Sequence, residues 1–155
     1  MQKLLITFGT RPLAQRLHKM LNPHFQIIFA TSEEVPTFLA ANYQKIPTGL
    51  NPTFAHEALK LCLDKQIDCI LPLGLSEIQS LSSANVLFEE YGIHILAPNQ
   101  DNLNELFVLE NPASSVDLIL CQDGKSLISE KDLGIKISGL FALADEGDDL
   151  ALCTI

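Results

Sequence analysis

Three short loops hold the residues best placed to do chemistry. Gly9-Thr10-Arg11 follows the apolar run Lys3 to Phe8, Thr31-Ser32-Glu33 follows Phe25 to Ala30, and Leu73-Gly74-Leu75-Ser76-Glu77 follows Ile67 to Pro72. Arg11 stands just before Pro12, a residue suited to the first position of a helix. Unpaired amides, the helix dipole and a guanidinium would together favour a carboxylate or phosphate there; a plain turn and cap is the competing reading. Only one glycine lies in that loop, so the dinucleotide fingerprint with its close backbone approach to a pyrophosphate is missing. Ser76 and Glu77 could bind a ligand hydroxyl or amine, and they are equally the ordinary cap and first-turn acid of a helix. The candidate ligand-binding residues are therefore Gly9, Thr10, Arg11, Thr31, Ser76 and Glu77.

No catalytic residue is assigned. His18 and His56 fall on polar helix faces, His24 in a connection and His94 in a strand, and none is set beside an obvious serine or cysteine nucleophile. Cys62, Cys69, Cys121 and Cys153 form no C-x-x-C pair and sit in apolar stretches, which reads as reduced core cysteine. The acidic run Asp145 to Asp149 lacks the alternating ligands of a calcium loop and reads as a solvated hairpin tip. No metal and no cofactor are expected.

The elements that must position these loops follow from periodicity. Apolar runs at Lys3–Phe8, Phe25–Ala30, Ile67–Pro72 and Ile93–Ala97 read as buried strands. Between them, helical patterns begin at Pro12 (Leu13, Leu17, Met20, Leu21 inward), at Asn51-Pro52 (Phe54, Ala58, Leu61, Cys62 inward) and at Ser76, running to Tyr91 and stopped by Gly92. Thr31 to Glu34 can cap a further short helix. Strands alternating with helices specify parallel pairing through right-handed crossovers, and unbroken apolar strands specify a sheet covered on both faces. The three loops then share one rim of the sheet, the carboxyl ends of its strands, where ligands of doubly wound folds bind. After Asn111-Pro112 the pattern becomes Val116–Cys121, Asp123-Gly124, Ile135–Ala144 and Leu150–Ile155, which predicts antiparallel hairpins.

The expected fold class is thus α/β, a Rossmann-like three-layer parallel sheet over residues 1–111, with a small antiparallel β-hairpin extension over 112–155 packed on it. A chain of 155 residues with 47% hydrophobic and 19% charged residues can bury a core of its own. No apolar run reaches the ~18 residues of a membrane helix, and Met1-Gln2-Lys3 leads into the first strand without a signal-peptide pattern. A cytoplasmic location away from membranes is expected. The net charge of −9 is unevenly spread: residues 1–66 hold seven Lys or Arg against four Asp or Glu, and residues 67–155 hold three against fifteen. No Lys or Arg occurs from Gln66 through Gly124, which removes the cations that nucleic-acid backbones require.

Ile70-Leu71-Pro72-Leu73-Gly74-Leu75-Ser76-Glu77 resembles the Ile-x-Pro-x-x-Asp-x-Glu strand end of the pre-ATP-grasp domain, the Rossmann-like N-terminal domain of carboxylate-amine ligases related to biotin carboxylase and carbamoyl phosphate synthetase. Leu75 replaces the acid. Gly92-Ile93-His94-Ile95-Leu96-Ala97-Pro98 is similar to that family's Gly-Ile-x-Val-x-x-Pro, and Tyr43-Gln44-Lys45-Ile46-Pro47 to its tyrosine-lysine-proline connection. The resemblance covers about residues 1–108. It departs at Leu106–Asn111, which lacks the family's Asp-Lys pair, and the 44 residues after Asn111 are too few for an ATP-grasp module. The resemblance therefore implies a stand-alone, non-catalytic domain that binds a partner protein or a small polar or carboxylate ligand at the rim. The alternative it implies is the substrate-side subunit of a split ligase whose ATP-grasp chain is encoded separately. The apolar Ala151–Ile155 could also support self-association through the C-terminal strands.

Overall fold

A computed structural model describes residues 1–143 and 150–155; Ala144 and the acidic run Asp145–Asp149 lie outside the described residues. The chain forms β1 (Lys3–Ile6), α1 (Pro12–Leu21), β2 (Gln26–Thr31), a 3-10 turn (Thr37–Asn42), β3 (Tyr43–Lys45), α2 (Phe54–Asp64), β4 (Cys69–Leu71), α3 (Leu75–Ser82), α4 (Asn85–Glu90) and β5 (His94–Ile95). These give a parallel five-stranded sheet in the order β3-β2-β1-β4-β5. α5 (Gln100–Glu105), β6 (Phe107–Glu110), β7 (Leu118–Gln122), β8 (Lys125–Ser126), β9 (Gly139–Leu143) and β10 (Leu150–Thr154) complete the chain. The arrangement is α/β and Rossmann-like. No helix among the described residues is long and apolar enough to cross a membrane.

The pleat explains the layers. Leu4 and Ile6 of β1 point to one face of the sheet, where they join Leu13, Leu17 and Leu21 of α1, while Leu5 points to the other and joins Phe54, Ala58 and Cys62 of α2 and Phe88 of α4. All four cysteines are buried and unpaired, and burial pushes their thiols up, to about 12 for Cys62 and about 11 for Cys69, Cys121 and Cys153. They are inert core atoms.

The second sheet runs β6-β10-β9-β7-β8. It is mixed rather than purely antiparallel, because β10 pairs parallel with β6 while its other pairings are antiparallel. The reason is the long excursion from β6 to β10, which lets the last strand enter in the direction of β6. β6 thereby takes one side of β10 and β9 the other, so the C-terminal strand is internal and the free edges are β6 and β8. The β7–β8 turn is made by Asp123 and Gly124, both at positive φ (53° and 85°). Gly124 is also pressed against the chain: a Cβ there would lie 1.9 Å from the Ile135 carbonyl oxygen.

Three helical expectations are corrected. The segment Ser76–Tyr91 is two helices, since the Ala84 amide bonds Leu81 O at 3.0 Å and tightens the chain into a turn before α4. Phe88 of α4 is fully buried in the core beyond the break. No helix begins at Thr31–Glu34; Pro36 holds Val35 out of helical conformation, and the 3-10 turn starts only after it. The start expected at Asn51-Pro52 is likewise shifted, since Asn51 Oδ1 accepts the Thr53 N–H at 2.9 Å in a turn and α2 starts at Phe54.

The two sheets share one core. Leu120, Leu140, Ala142 and Cys153 of the second sheet pack in the same cluster as Leu4, Ile6, Leu13 and Leu71. Arg16 of α1 spans the seam, donating to Ala113 O at 3.0 Å and to Val116 O, and the Ile155 amide donates to Leu73 O at 3.0 Å. A shared core predicts one cooperative unfolding transition. Leu120→Ala, which empties space on the second sheet, should cost about 2–5 kcal/mol and shift the whole transition. Far-UV circular dichroism and the fluorescence of Tyr43 and Tyr91, which both lie in the region of the parallel sheet, should move together in urea. A tyrosine transition left where it was in the wild type would show two independent halves.

Candidate functional site

The parallel sheet reverses its winding between β1 and β4, and the carboxyl ends of these strands are where a doubly wound fold opens its crevice. Here the chain fills that place itself. Thr7 Oγ1 accepts the Leu73 N–H at 2.8 Å and donates to Glu77 Oε1 at 2.5 Å, and the Gly74 N–H donates to the same oxygen at 3.2 Å. Thr7 is fully buried and Glu77 is 2% exposed. Glu77 occupies the third position of α3, so its carboxyl group folds back over the helix start. Gly49 closes the outside, since a Cβ on it would lie 2.5 Å from the Glu77 amide nitrogen and 2.6 Å from Ser76 Oγ. From the β1 side, Phe8 holds φ at 51° and lays its ring on Gly74, where a Cβ would lie 2.6 Å from Phe8 Cε2.

Burial pushes the Glu77 carboxyl up from 4.5 to about 7, against the opposing pull of the Thr7 hydroxyl and the Gly74 and Leu73 amides. A carboxyl group with that value in an open cleft would be a candidate acid or base. In this packed position it is a tie between β1, β4 and α3.

Arg11 lies on the open part of the rim. Its Nε donates to Glu33 Oε1 at 2.9 Å and its Nη2 to Oε2 at 3.2 Å, a two-pronged pair joined by Thr10 Oγ1, which donates to Glu33 Oε1 at 2.9 Å. Thr31 Oγ1 accepts the Glu33 N–H at 3.0 Å and so fixes the acid to the end of β2. The Arg11 guanidinium also stands 5.8 Å from the centre of the Phe8 ring. The hydrogen bond from Arg11, then that from Thr10, holds the Glu33 carboxyl below its ordinary range, and the same pairing raises Arg11. A hollow of about 280 Å³ adjoins this clamp, lined by Thr31, Glu33, Glu34, Tyr43 and Lys45 with Val35 and Ala40.

Of the candidates, then, Thr10, Arg11 and Thr31 gather around Glu33, whereas Ser76 and Glu77 lie under Gly49 and Gly9 packs on Phe29, where a Cβ would meet Phe29 Cβ at 2.5 Å. Of the residues that organise the two places, Thr7 lies outside the three candidate loops, and Glu33 lies within one of them but is not among the assigned ligand-binding residues. A threonine inside an otherwise apolar strand was the available signal for Thr7. No histidine joins the clamp: His18 packs against Phe29 at 5.6 Å between ring centres, and His24, His56 and His94 are exposed. Among the described residues no group of three or more His, Cys, Asp or Glu is placed to hold a metal ion. The sequence matches no protein-family model and no curated protein.

Glu77 gives a pH prediction. Its folded-state value lies above its unfolded one, so the native state binds more protons between pH 4.5 and about 7. Stability from this group is complete below about 4.5 and is lost as pH rises through about 7, a change on the order of 3 kcal/mol. Glu77→Gln keeps an acceptor for Thr7 and Gly74 while removing the titration. Thermal melts from pH 5 to 8 should show the wild type losing stability relative to Glu77→Gln, and parallel curves would refute the assignment.

Proposed function

We propose that this chain is a non-catalytic binding domain of the pre-ATP-grasp type that takes a small zwitterionic ligand, of the amino-acid class, at the hollow beside the Arg11–Glu33 clamp. The observation that carries this reading is the clamp itself. Two of Arg11's five N–H donors are spent on Glu33, which orients the guanidinium and leaves donors for a carboxylate. Lys45 also lines the hollow, its Nζ within 3.4 Å of Glu34 Oε1 and of the Ser32 carbonyl, and adds a second cation. Glu33 and Glu34 supply the opposite charge for an ammonium group. A ligand bearing both signs suits such a rim better than a simple anion, which would meet two carboxylates. Two features support the family reading: the two strand-end motifs, Ile70–Glu77 and Gly92–Pro98, flank β4 and β5, which pair side by side, and the sheet is parallel.

Non-catalytic function is argued from the packed crevice. Among the described residues the one acid raised to about 7, Glu77, is enclosed, and the thiols are protonated in the core. Isothermal titration with L-amino acids, 2-oxo acids and ATP tests the reading. Heat is expected with an amino acid and none with ATP. Arg11→Ala, on a half-exposed side chain, should melt near the wild type and weaken the amino acid about ten- to a hundredfold, the worth of a hydrogen bond to a charged group. Amino-acid binding indifferent to Arg11→Ala, or its complete absence, would sink the proposal, as would tight ATP binding.

A further inference from the structure

We propose a second binding site, for one small uncharged polyhydroxylated molecule of the monosaccharide or cyclic-polyol class, in the cleft between the two sheets. The cleft has a volume of about 270 Å³ and lies on the opposite flank of the parallel sheet from the rim hollow, between α4, β5 and α5 on one side and the end of β7 and the Lys136–Ser138 segment before β9 on the other. That volume is at the small end of the ~300–1,000 Å³ typical of ligand pockets, which suits a single small metabolite.

Its walls are fixed. Pro98, after β5, meets Gly139 at the start of β9, where a Cβ would lie 3.3 Å from Pro98 Cδ, and Gly139 itself holds φ at 138°. Leu81 and Ile137 are buried beneath it. The two halves of the chain thus hold one shape at the cleft.

The lining is polar and largely unspent. Three groups are oriented by one bond each and keep a free valence. Asn85 Nδ2 donates to Glu89 Oε1 at 3.2 Å, Asn99 Oδ1 accepts the Asn102 N–H at 2.8 Å, and Ser138 Oγ accepts the Asp123 N–H at 3.0 Å. The side chains of Asn102, Gln122 and His94 also line the cleft and make no hydrogen bond with other described residues. A hydroxyl group both donates and accepts, as do a side-chain amide and a serine, so neighbouring hydroxyls can be met by neighbouring amides. The charges here are Glu89 and Asp123 against Lys136, which neither concentrate positive field for an anion nor leave the cleft without carboxylate acceptors for hydroxyl donors. No phenylalanine, tyrosine or tryptophan lines it, so recognition rests on hydrogen bonds rather than on a ring platform.

Saturation-transfer NMR on the full chain with D-ribose, D-glucose and myo-inositol tests this, with L-glutamate as the charged comparison. At least one of the three neutral probes should receive transfer from the wild type. Asn102→Ala with Gln122→Ala should weaken it about tenfold for each bond removed, because a hydrogen bond contributes about 1 kcal/mol or somewhat more. Neither side chain supports the fold by a hydrogen bond, and an unchanged melting temperature confirms that the double variant is native. Arg11→Ala, at the other site, should leave transfer intact, so this proposal and the rim proposal fail separately. Transfer from none of the three, transfer unaffected by the double variant, or transfer abolished by Arg11→Ala would each overturn it.

Discussion

The bond from Thr7 to Glu77 is the constraint on which the rest of the molecule turns. It joins the end of β1 to the start of α3 through a hydroxyl that simultaneously caps the Leu73 amide, so one threonine ties two neighbouring strand ends. A buried hydrogen-bonded carboxyl group is costly to leave without its partners. The geometry around it is accordingly tight: Gly49 lies against the helix start, Phe8 accepts a left-handed conformation to cover Gly74, and the Ile155 amide reaches Leu73 O from the last residue of the chain. Each of these contacts closes the crevice that a doubly wound sheet otherwise leaves open. The open part of the rim is thereby left at its flank, beside Arg11 and Glu33.

The second sheet follows from the same closure. With α1 covering only part of one face of the parallel sheet, Leu4, Ile6 and Leu71 need further apolar cover, and Leu120, Leu140 and Cys153 supply it. The mixed sheet takes the role that a helix layer has elsewhere in α/β folds. Its internal C-terminal strand is also what carries Ile155 to the rim. Architecture and the blocked crevice are one arrangement seen from two sides.

How legible this was in the sequence depends on range. Unbroken apolar runs such as Lys3–Phe8 and Ile67–Pro72 and the helix starting at Pro12 are local patterns, and the parallel sheet follows from their alternation. The break before α4 was hidden because Ile78, Leu81, Asn85 and Phe88 keep helical spacing across it; the turn at Ala84 is set by packing of Phe88, which lies beyond any local rule. The parallel partner of β10 was equally hidden, since β6 is a four-residue strand far away in the chain. At the rim, Arg11 was legible as a charged residue at a helix start. Its engagement by Glu33, 22 residues on, was not, because only the third dimension brings the end of β2 beside that turn.

That engagement fixes what the rim can select. The opening third holds five of the chain's ten Lys and Arg, and the fold commits four of them internally: Arg11 to Glu33, Arg16 to the carbonyls of Ala113 and Val116, Lys3 to the Lys65 carbonyl and Lys45 to the Ser32–Glu34 turn. A polyphosphate would have to compete with carboxylates and carbonyls for each of these four, against an overall charge of −9. A zwitterion does not face that competition, because its ammonium can replace what its carboxylate takes from Glu33. On the reading proposed above, selectivity at this rim would be a matter of charge balance rather than of charge supply, and the same bonds that orient the guanidinium would work against the more highly charged ligand.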